Sequence, residues 1–481
     1  MIGQHLAEIA RSEPHLPALI VRGKPISYGQ LLAAGGEARC KLEGAGVHAG
    51  DVVACPLPVG WEAVASFVGC ALMGAVYMPV NPAWSPEEMA WLRKRVEPRV
   101  AIVNAEDAWL AAEFQTSQLI SGRDWPWPQD GLSRLEAREL TPDHPVAYQL
   151  SSGSTGEPKV VVKSGGRFLE SMLSVASVVG MERGRRILVS TPFHFGFSFS
   201  WNMLLPLVSR ATMVLLEKFE PESAAQVIQR EKVQCLWGSP VLYNLLTGAR
   251  LPDHSLAGLE LCITGGATLS AAVKEQWRRI CGAGLRQAYG TTEAGMIAIQ
   301  REEELPDGCV GSPPPGTELR IYQGDRVQSS GEPGEIAVRG PGVMAGFLND
   351  PSATAALMVD GFLRTGDAGW LDERGRLHLT GRIRPWINAG GVKVDPTEVQ
   401  NMLLRMPGVR DCLVRAEPGP RGVDVVAAYL APEPGKELVR ADVIRYCRGR
   451  LADYKVPRVI RFVPSLTHDL TGKVAELKLQ S

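Results

Sequence analysis

The stretch Ser151-Ser152-Gly153-Ser154-Thr155-Gly156-Glu157-Pro158-Lys159 follows the apolar run Val146-Ala147-Tyr148-Gln149-Leu150. Six of its nine residues are Ser, Thr or Gly. Glycines let backbone N–H groups approach an anion closely, and hydroxyls add further donors. The segment reads as a phosphate-gripping loop placed directly after a strand. A Walker loop is excluded, because that pattern needs Gly, four residues, then Gly-Lys-Ser/Thr. Here Lys159 follows Pro158, and Val160 stands after it.

The flanking sequence supports an α/β frame. Over residues 1–145, helical patterns at 31–42 and 62–73 alternate with strand-like runs at 51–57 and 100–103. The alternation repeats over 146–300, with strands at 187–190, 212–216, 235–237 and 259–264 and helices at 220–232 and 270–281. Strand-helix alternation predicts α/β layers with a parallel sheet. From 308 to 381, Gly and Pro punctuate short strands such as 335–338 and 376–379, which predicts a small antiparallel barrel or sheet. After Arg382 a last unit carries its own helices and strands and is large enough for a small mobile domain. The run Gly44-Ala45-Gly46-Val47-His48-Ala49-Gly50 precedes a strand, where a dinucleotide fingerprint would follow one. It reads as a helix stop and a turn.

The 481 residues are too many for one ordinary core. Lys plus Arg number 51 against 52 Asp plus Glu, so no charge excess favours nucleic acid or an anionic membrane. The nine cysteines include no Cys-x-x-Cys pair, which fits a reduced, cytoplasmic setting better than a disulfide scaffold. The eight histidines form no metal-ligand spacing. The start lacks a basic-then-apolar signal segment, and the longest apolar region, 67–80, falls short of the roughly 20 residues that span a bilayer.

Four further segments carry chemistry. Residues 289–295 read Tyr-Gly-Thr-Thr-Glu-Ala-Gly, preceded by Gly265-Gly266-Ala267. Leu363-Arg364-Thr365-Gly366-Asp367 is followed by Gly381-Arg382. The end of the chain holds Tyr454-Lys455-Val456-Pro457 and Leu470-Thr471-Gly472-Lys473. Each alone is an ordinary turn. In this order, together with the loop at 151–159, they resemble the acyl-adenylate-forming superfamily of acyl-CoA synthetases, adenylation domains and luciferases. The resemblance covers nearly the whole chain.

That resemblance implies a fold and a set of roles. The fold is α/β: a large N-terminal domain, residues 1–383, of two doubly wound α/β subdomains plus a small β-barrel, then a small mobile α+β C-terminal domain, residues 384–481. Ser151, Ser152, Gly153, Ser154, Thr155, Gly156 and Lys159 would grip the ATP phosphates. Adenine would pack against Gly265, Gly266 and Ala267. Tyr289, Gly290 and Thr291 would line the nucleotide site, Thr292 would contact the α-phosphate, and Glu293 would hold Mg²⁺. Asp367 would accept both ribose hydroxyls, as a carboxylate can, with Arg382 beside it. Lys473 would bridge the acid and the α-phosphate. Gly390 and Gly391 would let the pantetheine arm of coenzyme A, or of a carrier protein, pass close to the backbone. Arg384 stands at the hinge position, usually Asp or Lys, and Pro385 restricts it. Val160 replaces a usual Gly, and His468-Asp469 replace more usual small or Pro-containing residues.

The segment Ser190 to Trp201 resembles the family's acid-pocket segment. His194 matches the position that shields the carboxylate entry. Phe197 falls where amino-acid-activating members carry an Asp that pairs the α-ammonium. A ring cannot pair an ammonium, and a buried unpaired charge is costly, so an acid without an α-amine is expected, with Phe197 and Trp201 lining its pocket. The alternation of Phe195, Phe197, Phe199 and Trp201 equally fits one face of a strand. The functional expectation is an ATP-dependent acid:thiol ligase that forms an acyl-adenylate and passes the acyl group to CoA. A carrier-loading enzyme and a non-catalytic acyl-adenylate-binding protein are the alternatives.

Overall fold

The computed structural model describes residues 1–104, 110, 113–114, 119–121, 125–129, 136–152, 158–249, 251–265, 271–302, 305–306, 308–382, 387–389, 392–419, 423–433, 435–464, 466–468 and 474–476. The chain divides into two compact units. One comprises 1–82, 96–150 and 160–383; the other comprises 83–95, 151–159 and 384–481.

The larger unit holds two mainly parallel sheets. In the eight-stranded sheet, Leu285–Thr291, Leu261–Gly265, Cys235–Gly238, Arg186–Val189, Thr212–Leu215 and Pro17–Val21 run parallel in that order. Gly295–Ile299 and Lys24–Ser27 close its two edges antiparallel. In the second sheet, Pro145–Ser152, Val76–Pro79, Val52–Cys55, Val100–Val103 and Leu119–Ser121 run parallel, and Pro158–Ser164 joins Pro145–Ser152 on its other side. Strands such as Val52–Cys55 and Thr212–Leu215 are buried at every residue, as sheets covered on both faces require. The helix Tyr28–Gly44 starts on a Ser27–Gln30 capping box and ends at the expected stop.

Residues 309–382 form a third, antiparallel sheet of seven strands. Its described pairings run as an open path from Cys309–Gly311 to Arg326–Val327, so the sheet alternative of the sequence reading describes them without a closed barrel.

The aromatic alternation at 195–201 is not a strand. Gly196–Ser198 is helical, Phe199–Leu204 is a π-helix, and Leu205–Val208 returns to α. The wider turn separates the rings. Phe199 stacks on Tyr77 and Phe168 in the core, while Phe197 stacks on Trp201 at 5.5 Å. π-Turns of this kind gather at functional sites.

The smaller unit has a five-stranded sheet built on the hairpin Val409–Pro418 and Asp424–Pro432. Its polar centre is Lys455. The ammonium donates to Glu88 Oε1 and Glu398 Oε1, both at 2.7 Å. Glu88 Oε2 in turn accepts from Ser85 N in the capping box of the helix Pro86–Val96. Burial works against the Lys455 charge, but Glu398 and Glu88 outweigh it and hold the group above the usual lysine range. Lys455→Met leaves two buried carboxylates without their cation, which should cost about 3–5 kcal/mol. Urea unfolding checks this; an unchanged midpoint and slope would contradict it.

Candidate nucleotide and acid site

The candidate site starts at the end of the strand Leu285–Thr291. The chain turns through Thr292, Glu293 and Ala294 and returns as Gly295–Ile299. Ala294 N donates to Thr291 Oγ1 at 3.1 Å, which fixes the turn from within. A methyl on Gly290 would meet Gly295 O at 2.4 Å, so only glycine fits there. From outside, Met344 N donates to Glu293 O at 2.7 Å.

Three predicted elements come together here. A methyl placed on Gly196 would stand 3.3 Å from Thr292 Oγ1 and 3.8 Å from Gln149 Oε1. The aromatic segment, the turn and the strand Pro145–Ser152 therefore meet at one point. A methyl on Gly265 would stand 3.3 Å from the Phe197 ring, so the end of Leu261–Gly265 lies against the same segment. Behind Phe197, Trp201 stacks on it and meets Trp237 edge-on at 4.9 Å. This wall offers an incoming ligand no carboxylate.

A second anchor lies on the third sheet. Tyr289 Oη donates to Asp367 Oδ2 at 2.6 Å, and both residues are buried. Arg382 is the register partner of Asp367 across the neighbouring strand. The sequence predicted all three as nucleotide contacts, and the fold brings them together. Ser151 is buried with its hydroxyl unpartnered, and Lys159 is half-buried on Pro158–Ser164. Ser152 closes the strand Pro145–Ser152. Gly153, Ser154, Thr155, Gly156, Gly266, Ala267, Arg384, Gly390, Gly391 and Lys473 lie outside the described residues.

Two residues near the turn escaped the sequence reading. Gln149 is 4% exposed and its Nε2 has no hydrogen-bond partner. An unsatisfied buried donor calls for an explanation, and a ligand oxygen beside Thr292 would supply one. Lys163 is 2% exposed and donates to Gly342 O at 2.9 Å. Burial pushes it down to about 7, against the opposing pull of Glu293. A polar side chain at the end of each apolar run, Val146–Tyr148 and Val160–Val162, was the available signal.

His194 lies against Phe195, with ring centroids 4.3 Å apart, and burial pushes its imidazole down to about 4. It is neutral at pH 7 and can accept or donate a hydrogen bond beside a carboxylate without adding charge. Among the described residues, no three His, Cys, Asp or Glu side chains gather into a metal cage. Glu293 alone suits an ion that takes its other ligands from phosphate and water, as Mg²⁺ does.

Comparison with known proteins identifies the family. The model of the AMP-binding enzyme family matches residues 6–348, and that of the AMP-binding enzyme C-terminal domain matches 398–473. The chain belongs to the acyl-adenylate-forming superfamily and is of the acyl-CoA synthetase type. It is 30% identical to a feruloyl-CoA synthase of an Amycolatopsis species, covering 97% of this chain and 95% of that one. It is 27% identical to the fatty acid–[acyl-carrier-protein] ligase ScoC of Streptomyces coeruleorubidus, over 98% and 94%. The solved o-succinylbenzoate CoA synthetase of Bacillus subtilis superposes with a TM-score of 0.89 at 26% identity, over 98% and 97%. This protein is thus an AMP-forming acid–thiol ligase that uses ATP. No helix among the described residues is long and apolar enough to cross a membrane.

Burial of His194 couples stability to pH. A histidine held neutral by the fold takes up its proton on unfolding, so this ligase loses stability as pH falls from about 6.5 towards 4. Imidazole NMR should show no His194 titration above pH 5; a midpoint near 6.5 would contradict the buried, neutral assignment.

Proposed function

We propose that this ligase activates a carboxylic acid lacking an α-amine and transfers its acyl group to coenzyme A. The meeting of Gly196, Thr292 and Gln149 at one point carries the proposal, because it joins the aromatic pocket segment to the phosphate-binding turn. A carboxylate is a poor electrophile, since its leaving group is oxide. In the first step a carboxylate oxygen attacks the α-phosphorus of ATP. The bond to pyrophosphate breaks, and a mixed anhydride with AMP remains. In the second step the thiol sulfur attacks the carbonyl carbon, the anhydride C–O bond breaks, and AMP leaves while the thiol proton passes to solvent.

The residues divide these tasks. Asp367, oriented by Tyr289, accepts from the ribose hydroxyls, with Arg382 across the strand pair. Thr292 and the amide of Gln149 donate to the reacting phosphate and carboxylate oxygens. The 151–159 loop, with Lys159, grips the β- and γ-phosphates, and adenine rests on 265–267. Glu293 holds Mg²⁺, which supplies charge neutralisation on the phosphates. Neutral His194 shields the carboxylate entry, and Phe197 and Trp201 hold the acyl group. Lys473 bridges carboxylate and phosphate. Its domain, 384–481, turns about Arg384, and the thiol arm then passes Gly390 and Gly391. Catalysis of this kind is positioning and charge stabilisation. The nine cysteines, none of them in a disulfide, support a reducing, cytoplasmic setting.

Exchange of labelled pyrophosphate into ATP tests the first step. Aryl and aliphatic acids should drive it and α-amino acids should not; no exchange with any acid, or exchange driven by amino acids, would overturn the reading. Lys473→Ala should lower the exchange rate by roughly 10²–10³, the scale for removing one transition-state donor. AMP release on adding CoA, compared with carrier proteins, separates the two acceptors.

A further inference from the structure

Lys163 closes the apolar run Val160–Val162 and is buried in the protein. Taking an ammonium out of water is expensive unless it is paired. Its hydrogen bond is to a backbone carbonyl, Gly342 O, and its nearest ring is Phe168 at 5.7 Å. Arg167, in the helix Gly165–Val179 that follows, donates to Gly340 O at 3.1 Å. Two basic side chains thus pin two carbonyls of one short loop.

That loop is pressed against the Thr292–Gly295 turn. A methyl on Gly295 would meet Gly342 O at 2.9 Å, and one on Gly342 would meet Ala294 O at 2.8 Å. Two residues on, Met344 N holds Glu293 O. The charge of Glu293 opposes the effect of burial on Lys163 and favours its protonated form. The load path runs Lys163, Gly342, Met344, Glu293.

We infer that Lys163 is a positioning residue of the nucleotide site: it clamps the 340–344 loop against the Thr292–Glu293 turn and sets that turn for magnesium-bound triphosphate. The inference rests on the proposed role of Glu293. A neutral, donor-free side chain at 163 would free Gly342, and the turn would lose its backing. The acid pocket, built from 194–201, would be untouched.

Calorimetric titration of wild type, Lys163→Met, Lys163→Gln, Lys163→Arg and Glu293→Gln with magnesium and α,β-methylene ATP tests this. Lys163→Met should weaken binding of the magnesium complex about tenfold or more, the scale of losing a hydrogen bond from a charged donor. Lys163→Arg should recover most of the loss, and the KM of the acid should stay within about twofold. Lys163→Gln keeps a donor without the charge and should fall between. If Lys163→Met does not fold, Lys163→Gln against Lys163→Arg decides on the same criteria. Wild-type binding in the neutral variants overturns the inference, as does a loss that raises the KM of the acid equally. If Glu293→Gln binds the complex like wild type, the role of Glu293 fails, and the inference falls with it.

Discussion

The turn at Thr292–Gly295 is backed by the Gly342 loop and by Gly196 while Thr292 and Glu293 stay partly exposed, and the rest of the site is arranged around it. Gly290 leaves no room for a side chain between the two strands, and Gly295 none against Gly342. The Gly342 loop backs the turn, and Gly196 closes on Thr292 from the aromatic segment. A hydroxyl and a carboxylate are therefore held in place before any ligand arrives. Pre-set polar groups of this kind need no reorganisation during reaction, which is where such sites gain rate.

The turn also ties the sheets together. Its leading strand belongs to the eight-stranded parallel sheet, yet Tyr289 on that strand reaches Asp367 on the antiparallel sheet. Gln149 comes from the other parallel sheet. Three sheets thus contribute one polar group each: Asp367 from the middle of Phe362–Leu371, and Tyr289 and Gln149 from the carboxyl-terminal halves of Leu285–Thr291 and Pro145–Ser152. Open α/β sheets bind ligands at the carboxyl ends of their strands for this reason. The apolar wall of Phe197, Trp201 and Trp237 has a different origin. The π-turn at 199–204 lets Phe197 and Trp201 share one face while Phe199 turns into the core.

Much of this was legible in the chain. Alternating helices and strands gave the parallel sheets, because buried strands must be apolar and crossovers must be helical. Tyr289, Thr292, Glu293 and Asp367 stood in segments that resemble the family's; each segment alone read as a turn, and the structure keeps the turn at Thr292–Ala294 but sets Tyr289 and Asp367 on strands. Other parts were hidden for equally physical reasons. The rings at 195–201 looked like a strand face, since a π-helix has no simple sequence period. Lys163 and Gln149 each sit singly in an apolar strand, and only the fold reveals what surrounds them. Lys455 lay in a noticed motif, but its partner Glu88 is 367 residues away in sequence, a pairing that no local pattern encodes.

The central claim is that Asp367, Thr292 and Phe197 face successive parts of one acyl-adenylate. A crystal structure with a non-hydrolysable acyl-sulfamoyl adenosine tests it most directly. The account predicts the ribose hydroxyls on Asp367, the sulfamoyl group at Thr292 and Gln149, and the acyl group against Phe197. An adenosine bound elsewhere, with the Tyr289–Asp367 hydrogen bond and the Thr292 turn untouched by ligand, would contradict it.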